Sequence, residues 1–418
     1  MKILKGNIIQ TKELGKLEII PNGGILIDDN GIIVDVLKEI NDSVDVEIID
    51  YGDALILESF CDMHLHAPQY PMLGMGKDLE LIDWLNKYTF KTEARFKDVK
   101  YARRVYAKLA KDLIDNGTTR VAVFSSLHLD ATIILMEELE KAGVTGYVGK
   151  VNMDRNSSPE LSETTLESEE NTLRFLQESK RFKYIKPILT PRFTPSCTNE
   201  LMDWLGKLSK ERNLYVQSHL SENKGEIEWV KELHPGSKDY YESYLKYGLF
   251  KSHTLMAHCV HSSKEERKAI KDNNVVIVHC PDSNTNLVSG VCPVRQYLDE
   301  GIWATLGSDI AGGDDISMAK NIITAVKTSK IQSILTNKKD QFLTISEAYY
   351  LATTSSHKYF DDSLGFSKGK KLHAIVIDDS DFTPSVRPLT LEERFERALY
   401  MMNKNNIKAV YSEGRKVK

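Results

Sequence analysis

ALILESFCDMHLH, residues 54–66, is an apolar run that ends on two histidines two positions apart. Successive side chains of a β-strand alternate between faces, so His64 and His66 share one face. One strand end therefore offers two metal ligands. Three further apolar runs end in a residue able to join them: LYVQSH (214–219) supplies His219, TLMAH (254–258) supplies His258 and ATLGSD (304–309) supplies Asp309.

Strand-like apolar runs recur at 55–62, 118–125, 146–152, 185–190, 214–220, 254–259, 275–280 and 304–308, and helical periodicity with charged faces separates them. Eight β/α alternations predict a (β/α)8 TIM-like barrel, with a doubly wound sheet as the alternative. The residues with chemical potential favour the barrel. His64, His66, Arg192, His219, His258, His279 and Asp309 all fall at the C-terminal ends of runs, and a barrel gathers those ends at one mouth.

The chain ends read differently. The first ~55 residues carry short apolar runs around Asp29-Asn30-Gly31, a hairpin signature, and the C-terminus adds LHAIVI (372–377) and IKAVY (407–411). Neither piece can bury a core alone. The expectation is a small β-sandwich built from both ends, residues 1–60 and 367–418, flanking a barrel over 61–366. Thr344-Ile-Ser-Glu347 reads as a capping box that opens a helix, and the polar stretch 157–171 reads as a solvated loop and helix start rather than a lid.

With 418 residues of which 41% are apolar, the chain can bury a substantial core. A net charge of −5, with Lys and Arg interspersed among Asp and Glu, gives no attraction to nucleic acid. No run approaches membrane-spanning length. The short apolar start is broken by charge within five residues, unlike a secretory or transit segment. Five cysteines, odd in number and without Cys-x-x-Cys, argue against a disulfide framework or a thiolate zinc site. A cytoplasmic protein with a small-molecule partner is expected.

Three histidines and an aspartate suit one borderline divalent ion, zinc first and iron(II) as the alternative, with a position left for water. Glu222, three residues beyond His219 where the loop turns over the mouth, is the expected proton shuttle. Asp309 is read as ligand first and base second. His258 is read as a hydrogen-bonding partner of the attacking water, since His64, His66, His219 and Asp309 already complete a mononuclear set. His279 is read evenly as support for the site or as a structural residue. The His-x-Glu with Pro-Cys-x-x-Cys signature of cytidine-type deaminases and the His-Glu-x-x-His helix of zinc proteases are both absent.

The set His-x-His, His219, His258 and Asp309 resembles the amidohydrolase superfamily. Along nearly the whole chain the motifs HLHAPQY (64–70), WLNKYTF (84–90), GKVNMD (149–154), TPRF (190–193), QSHLSE (217–222) and GSDIAGG (307–313) are similar to those of its guanine deaminase family. The resemblance implies hydrolysis of guanine to xanthine and ammonia, with metal on His64, His66, His219 and Asp309. It implies catalysis by Glu222, His258 and Asp309, and purine recognition by Gln69, Arg192 and Phe193, with His219 and Glu222 also against the ring. A homodimer is implied as well. The chain departs from the family pattern at Glu58-Ser59, where Pro-Gly is usual, at Lys91, where Pro is usual, and at His373-Ala374, where Ala-Asp is usual. None of these touches an expected ligand.

Three competing readings stand beside this one, the first a non-enzymatic scaffold that kept the barrel and lost its chemistry, although such proteins usually lose ligands and this chain keeps them all together with Glu222. A binuclear cyclic-amide hydrolase needs a bridging lysine, for which Lys186 is the nearest candidate, although it sits at the wrong end of its run. Deamination of another base, such as adenine, cytosine or a pterin, would keep the same metal residues.

Overall fold

The computed structural model describes residues 1–40 and 46–418. Its strands in chain order are β1 (Lys2–Glu13), β2 (Lys16–Ile27), β3 (Ile33–Leu37), β4 (Glu47–Glu58), β5 (Phe60–His66), β6 (Thr118–Phe124), β7 (Thr145–Gly149), β8 (Val151–Asn152), β9 (Ile185–Pro187), β10 (Thr190–Pro191), β11 (Val216–Leu220), β12 (Thr254–His258), β13 (Val276–His279), β14 (Ala304–Leu306), β15 (Ala374–Ile377), β16 (Ile407–Ser412) and β17 (Arg415–Lys416).

Both chain ends enter one seven-stranded sheet, ordered β17-β16-β15-β4-β1-β2-β3. The Asp29-Asn30-Gly31 turn joins β2 to antiparallel β3, and the Asp28 carboxylate accepts the Ile32 N–H at 2.8 Å. The sheet curls over its own apolar cluster, which includes Leu4, Ile8, Ile25, Ile56, Val376 and Ala409. Ile32 bridges to Lys371, so the edge strand β3 meets the segment that leads into β15. Gly31 and Gly414 touch at that seam, both at positive φ. A Cβ on Gly31 would lie 2.4 Å from the Gly414 Cα, which leaves room for no other residue.

Two parallel four-stranded arcs, β5-β6-β7-β9 and β11-β12-β13-β14, form the barrel wall. The Gln217 N–H donates to Leu189 O at 2.9 Å on one side, and the Asp309 N–H donates to His64 O at 2.8 Å on the other. These bonds close eight strands into a ring. Cys61, Met63, Ala122, Ile188, Ala257 and Val278, drawn from around that ring, pack together and fill it. A larger apolar cluster lies between the strands and the outer helices.

The run 55–62 is not one strand. β4 ends at Glu58 in the terminal sheet and β5 begins at Phe60 in the barrel, with the Ser59 N–H bonded to His373 O at 3.2 Å. Both pieces are buried on both faces, so hydrophobicity runs unbroken across the corner and hides it. Thr344 and Glu347 do form a capping box, opening the helix Ile345–Ala352. The stretch 157–171 is a loop with a short 3-10 turn leading into the capped helix Thr165–Glu178.

Candidate active site

The barrel mouth gathers the residues that the strand ends promised. His64 Nε2 lies 3.3 Å and His66 Nε2 3.6 Å from Asp309 Oδ1, and the Nε2 atoms of His66 and His219 are 3.1 Å apart. Ligand atoms of His64, His66 and Asp309, and of His64, His219 and His258, lie within 4.8 Å of one another in two overlapping groups. Gly307 permits this approach, since a Cβ there would stand 2.8 Å from that of His64.

Local backbone holds the cluster in place. His258 and Asp309 have φ of 72° and 46°, a left-handed conformation that costs a non-glycine residue about 1–3 kcal/mol. The Cys259 N–H bond to Leu220 O at 2.9 Å and the Gly313 N–H bond to Asp309 O at 2.7 Å fix those turns. The strain therefore falls on two residues of the candidate site.

The donor set fits a divalent cation. His64 Nε2 is buried without a hydrogen-bond partner. Burial lowers the pKa of His64, and pushes those of His66 and His219 well below the ordinary value, which favours the neutral rings that ligation requires. His219 Nδ1 donates to the Arg192 carbonyl, which fixes the tautomer and leaves Nε2 facing the cluster. His258 Nδ1 bonds Asn284 Oδ1 at 2.8 Å, so its Nε2 also turns inward, 3.5 Å from Glu222 Oε2 and 3.9 Å from Asp309 Oδ2.

Glu222 follows β11 after a left-handed Ser221 (φ 46°) and is buried at the mouth. Ser289 Oγ donates to its Oε1 at 3.0 Å, and its backbone N–H is held by the Glu226 carboxylate. Burial raises its pKa to about 7, against the smaller opposing pull of His258. A carboxyl poised there can both take and return a proton near neutral pH.

A cavity opens onto these groups. Gln69, Arg192 and Phe193 line it beside His66, His219, Glu222, His258 and Asp309. Phe193 sets its ring edge-on to Trp229 at 6.1 Å. Trp84 belongs to the cavity wall too, along with Leu81 and Leu85 of the same segment.

His279 lies apart from both metal-capable groups, buried with neither ring nitrogen bonded, and burial lowers its pKa to about 3. Lys186 is exposed and lines a different cavity, with Arg120 and Lys371, so it offers no bridge between metals. Sequence reading missed Glu93, Ser289, Asn284 and Glu226, each of which holds a site residue rather than ending a strand. Glu93 bonds both Gln69 and Arg192, and only its place one turn beyond Phe90 in a segment already marked for aromatics hinted at it.

The amidohydrolase family model matches residues 55–417. A guanine deaminase of Dictyostelium discoideum is 40% identical over all of this chain and 98% of its own length. The Rattus norvegicus guanine deaminase is 41% identical over 85% of this chain and 81% of its own. A crystal structure of guanine deaminase from C. acetobutylicum with guanine bound in its active site superposes with a TM-score of 0.96 at 48% identity, covering 99% of both chains. On strand ends, cluster geometry and full-length similarity alike, the chain belongs to the amidohydrolase family, in its guanine deaminase branch.

Proposed function

We propose that this protein hydrolyses guanine to xanthine and ammonia. One observation carries the reading: side chains able to read a ring edge, Gln69 and Arg192, and side chains able to handle protons, Glu222, His258 and Asp309, line a single cavity. The guanine bound in the C. acetobutylicum relative supports the choice of base.

His64, His66, His219 and Asp309 would hold one divalent ion, zinc by preference and iron(II) as the alternative. Such an ion, when bound, supplies the positive charge that brings the pKa of an adjacent water towards ~7. Glu222 takes a proton from the attacking water and gives it to the ring nitrogen beside the amino-bearing carbon. The water oxygen bonds that carbon. Glu222 then moves the remaining hydroxyl proton to the amino group, the C–N bond breaks, and ammonia leaves a new carbonyl behind. His258, anchored by Asn284, orients the attacking water from the side facing Glu222 and Asp309. Gln69 and the Arg192 guanidinium read adjacent acceptors and donors on the ring edge, and Phe193 shapes the wall against its face.

The remaining features of this reading are a barrel over 61–366 served by a terminal unit from 1–60 and 367–418, a homodimer, and a cytoplasmic role in purine breakdown. Five free, buried cysteines support a reducing compartment. Among the described residues no helix is long and apolar enough to cross a membrane.

Ammonia release by zinc-loaded protein, measured across guanine, adenine, cytosine, a pterin and dihydroorotate, tests the activity. Turnover of guanine, abolished in Glu222→Gln with metal still bound, is the expected result. Hydrolysis of dihydroorotate without release of ammonia from guanine would overturn it.

A further inference from the structure

Behind the ring-reading wall lies a carboxylate that does not itself line the cavity. Glu93 Oε2 accepts from one terminal nitrogen of Arg192 at 2.6 Å and Oε1 from the other at 3.1 Å, a two-pronged ion pair. Glu93 Oε1 also accepts from Gln69 Nε2 at 2.9 Å, while Gln69 Oε1 accepts the Ala311 N–H at 3.2 Å. Exposure of Glu93 is 1% and of Arg192 3%, so solvent screens neither charge. Phe90, one turn before Glu93 on the same helix, sets its ring 5.4 Å from the guanidinium.

Two consequences follow. Since a carboxylate only accepts, the Gln69 amide has one orientation: flipping it would set its oxygen against Glu93 and its NH2 against the Ala311 N–H. The amide is fixed before any ligand arrives, and so is the fork of Arg192. Charge is the second consequence. A buried guanidinium without a partner would attract anions strongly in so dry a place, whereas the ion pair is neutral as seen from the cavity.

We propose that Glu93 is a positioning residue that sets the charge selectivity of this pocket: by pairing Arg192 and orienting Gln69 it favours a neutral oxopurine over the anion of the dioxopurine product. The proposal rests on the guanine reading given above. Guanine enters as a neutral ring. Xanthine, with a second carbonyl beside its ring N–H groups, is the stronger acid and ionises more readily. A neutral recognition wall therefore holds the substrate and lets the product anion go.

The test compares wild type, Glu93→Gln and Glu93→Asp, all zinc-loaded. The readouts are KM and kcat for guanine and the inhibition constant for xanthine, on the acid and alkaline sides of xanthine ionisation. Glu93→Gln should raise KM on the order of tenfold or more and change kcat less. Its xanthine inhibition should tighten relative to KM, increasingly so on the alkaline side. Glu93→Asp, which keeps the charge but retracts it, should raise KM while leaving the ratio of xanthine inhibition to KM at the wild-type value. If Glu93→Gln does not fold, Glu93→Gln/Arg192→Gln removes both charges and should lose guanine affinity without gaining pH-dependent affinity for xanthine. A folded Glu93→Gln whose ratio stays unchanged at both pH values overturns the proposal. So does a ratio that moves as far in Glu93→Asp as in Glu93→Gln, or a double variant that gains affinity for xanthine at alkaline pH. Wild-type protein that releases no ammonia from guanine would instead overturn the functional reading.

Discussion

Glu222 and Ser289 meet across the barrel mouth, with the serine Oγ donating to the carboxylate Oε1 at 3.0 Å and the other oxygen left to face His258. That bond selects which Glu222 oxygen is free to move protons. Ser289→Ala removes one hydrogen bond to a charged group, worth about 1.5–3 kcal/mol. We expect kcat to fall about tenfold or more with KM for guanine little changed, because the ring contacts are elsewhere. Steady-state kinetics check this, and a rise in KM at constant kcat would contradict it.

Chelation should abolish ammonia release while the protein stays folded. The apolar clusters that fill the barrel and pack its helices are extensive and include none of the proposed ligands. The stripped protein should melt at lower temperature, since a ligand present at about 100 times its dissociation constant adds about 2.7 kcal/mol to the native state. Near-UV circular dichroism and calorimetry, before and after restoring zinc, measure both effects. His66→Ala should lower bound metal below one per chain.

Stability should depend on pH through Glu58, the last residue of β4. Burial raises its pKa from 4.5 to about 7, even with Thr11 N–H and Thr354 Oγ donating to it. A carboxyl whose folded pKa lies above its unfolded one stabilises the fold at low pH. That contribution is complete below the unfolded value and is lost as pH climbs from about 4.5 to about 7, a change of about 3 kcal/mol. Glu58→Gln, always neutral, should be flatter across this window, so its stability relative to wild type should improve with rising pH. Denaturant titrations on either side of the window provide the comparison.

At the opposite end of the barrel from the metal-capable cluster, Arg120 donates to Asp361 at 2.6 Å and to His357 Nδ1 at 3.2 Å, and stands 4.0 Å from Glu413 on the terminal sheet. Arg120→Met should destabilise the protein by about 3–5 kcal/mol, since it strands Asp361 beside buried histidines. Activity well below the melting temperature should be unchanged. Thermal unfolding combined with kinetics separates the two effects, and a loss of kcat without loss of stability would contradict this assignment.

The strand-like runs that favoured a barrel over a doubly wound sheet, and the residues of the metal-capable cluster, were legible in the sequence. These signals are local: period-two placement sets His64 and His66 on one face, and each of His219, His258 and Asp309 marks its own strand end. A parallel barrel then brings strand ends together by topology alone, with no need to know any side-chain contact. What the sequence concealed depends on contacts between distant segments. The corner at Ser59 was invisible because the residues on either side of it, Leu55–Glu58 and Phe60–His66, are all buried, and the closure of the terminal sheet through Gly31 and Gly414 joins positions far apart in the chain. Glu93 read as one more charged residue on a short helix. Its burial against Arg192 and Gln69 emerges from the packing of distant segments, because an ion pair between separate segments leaves no periodicity in either of them.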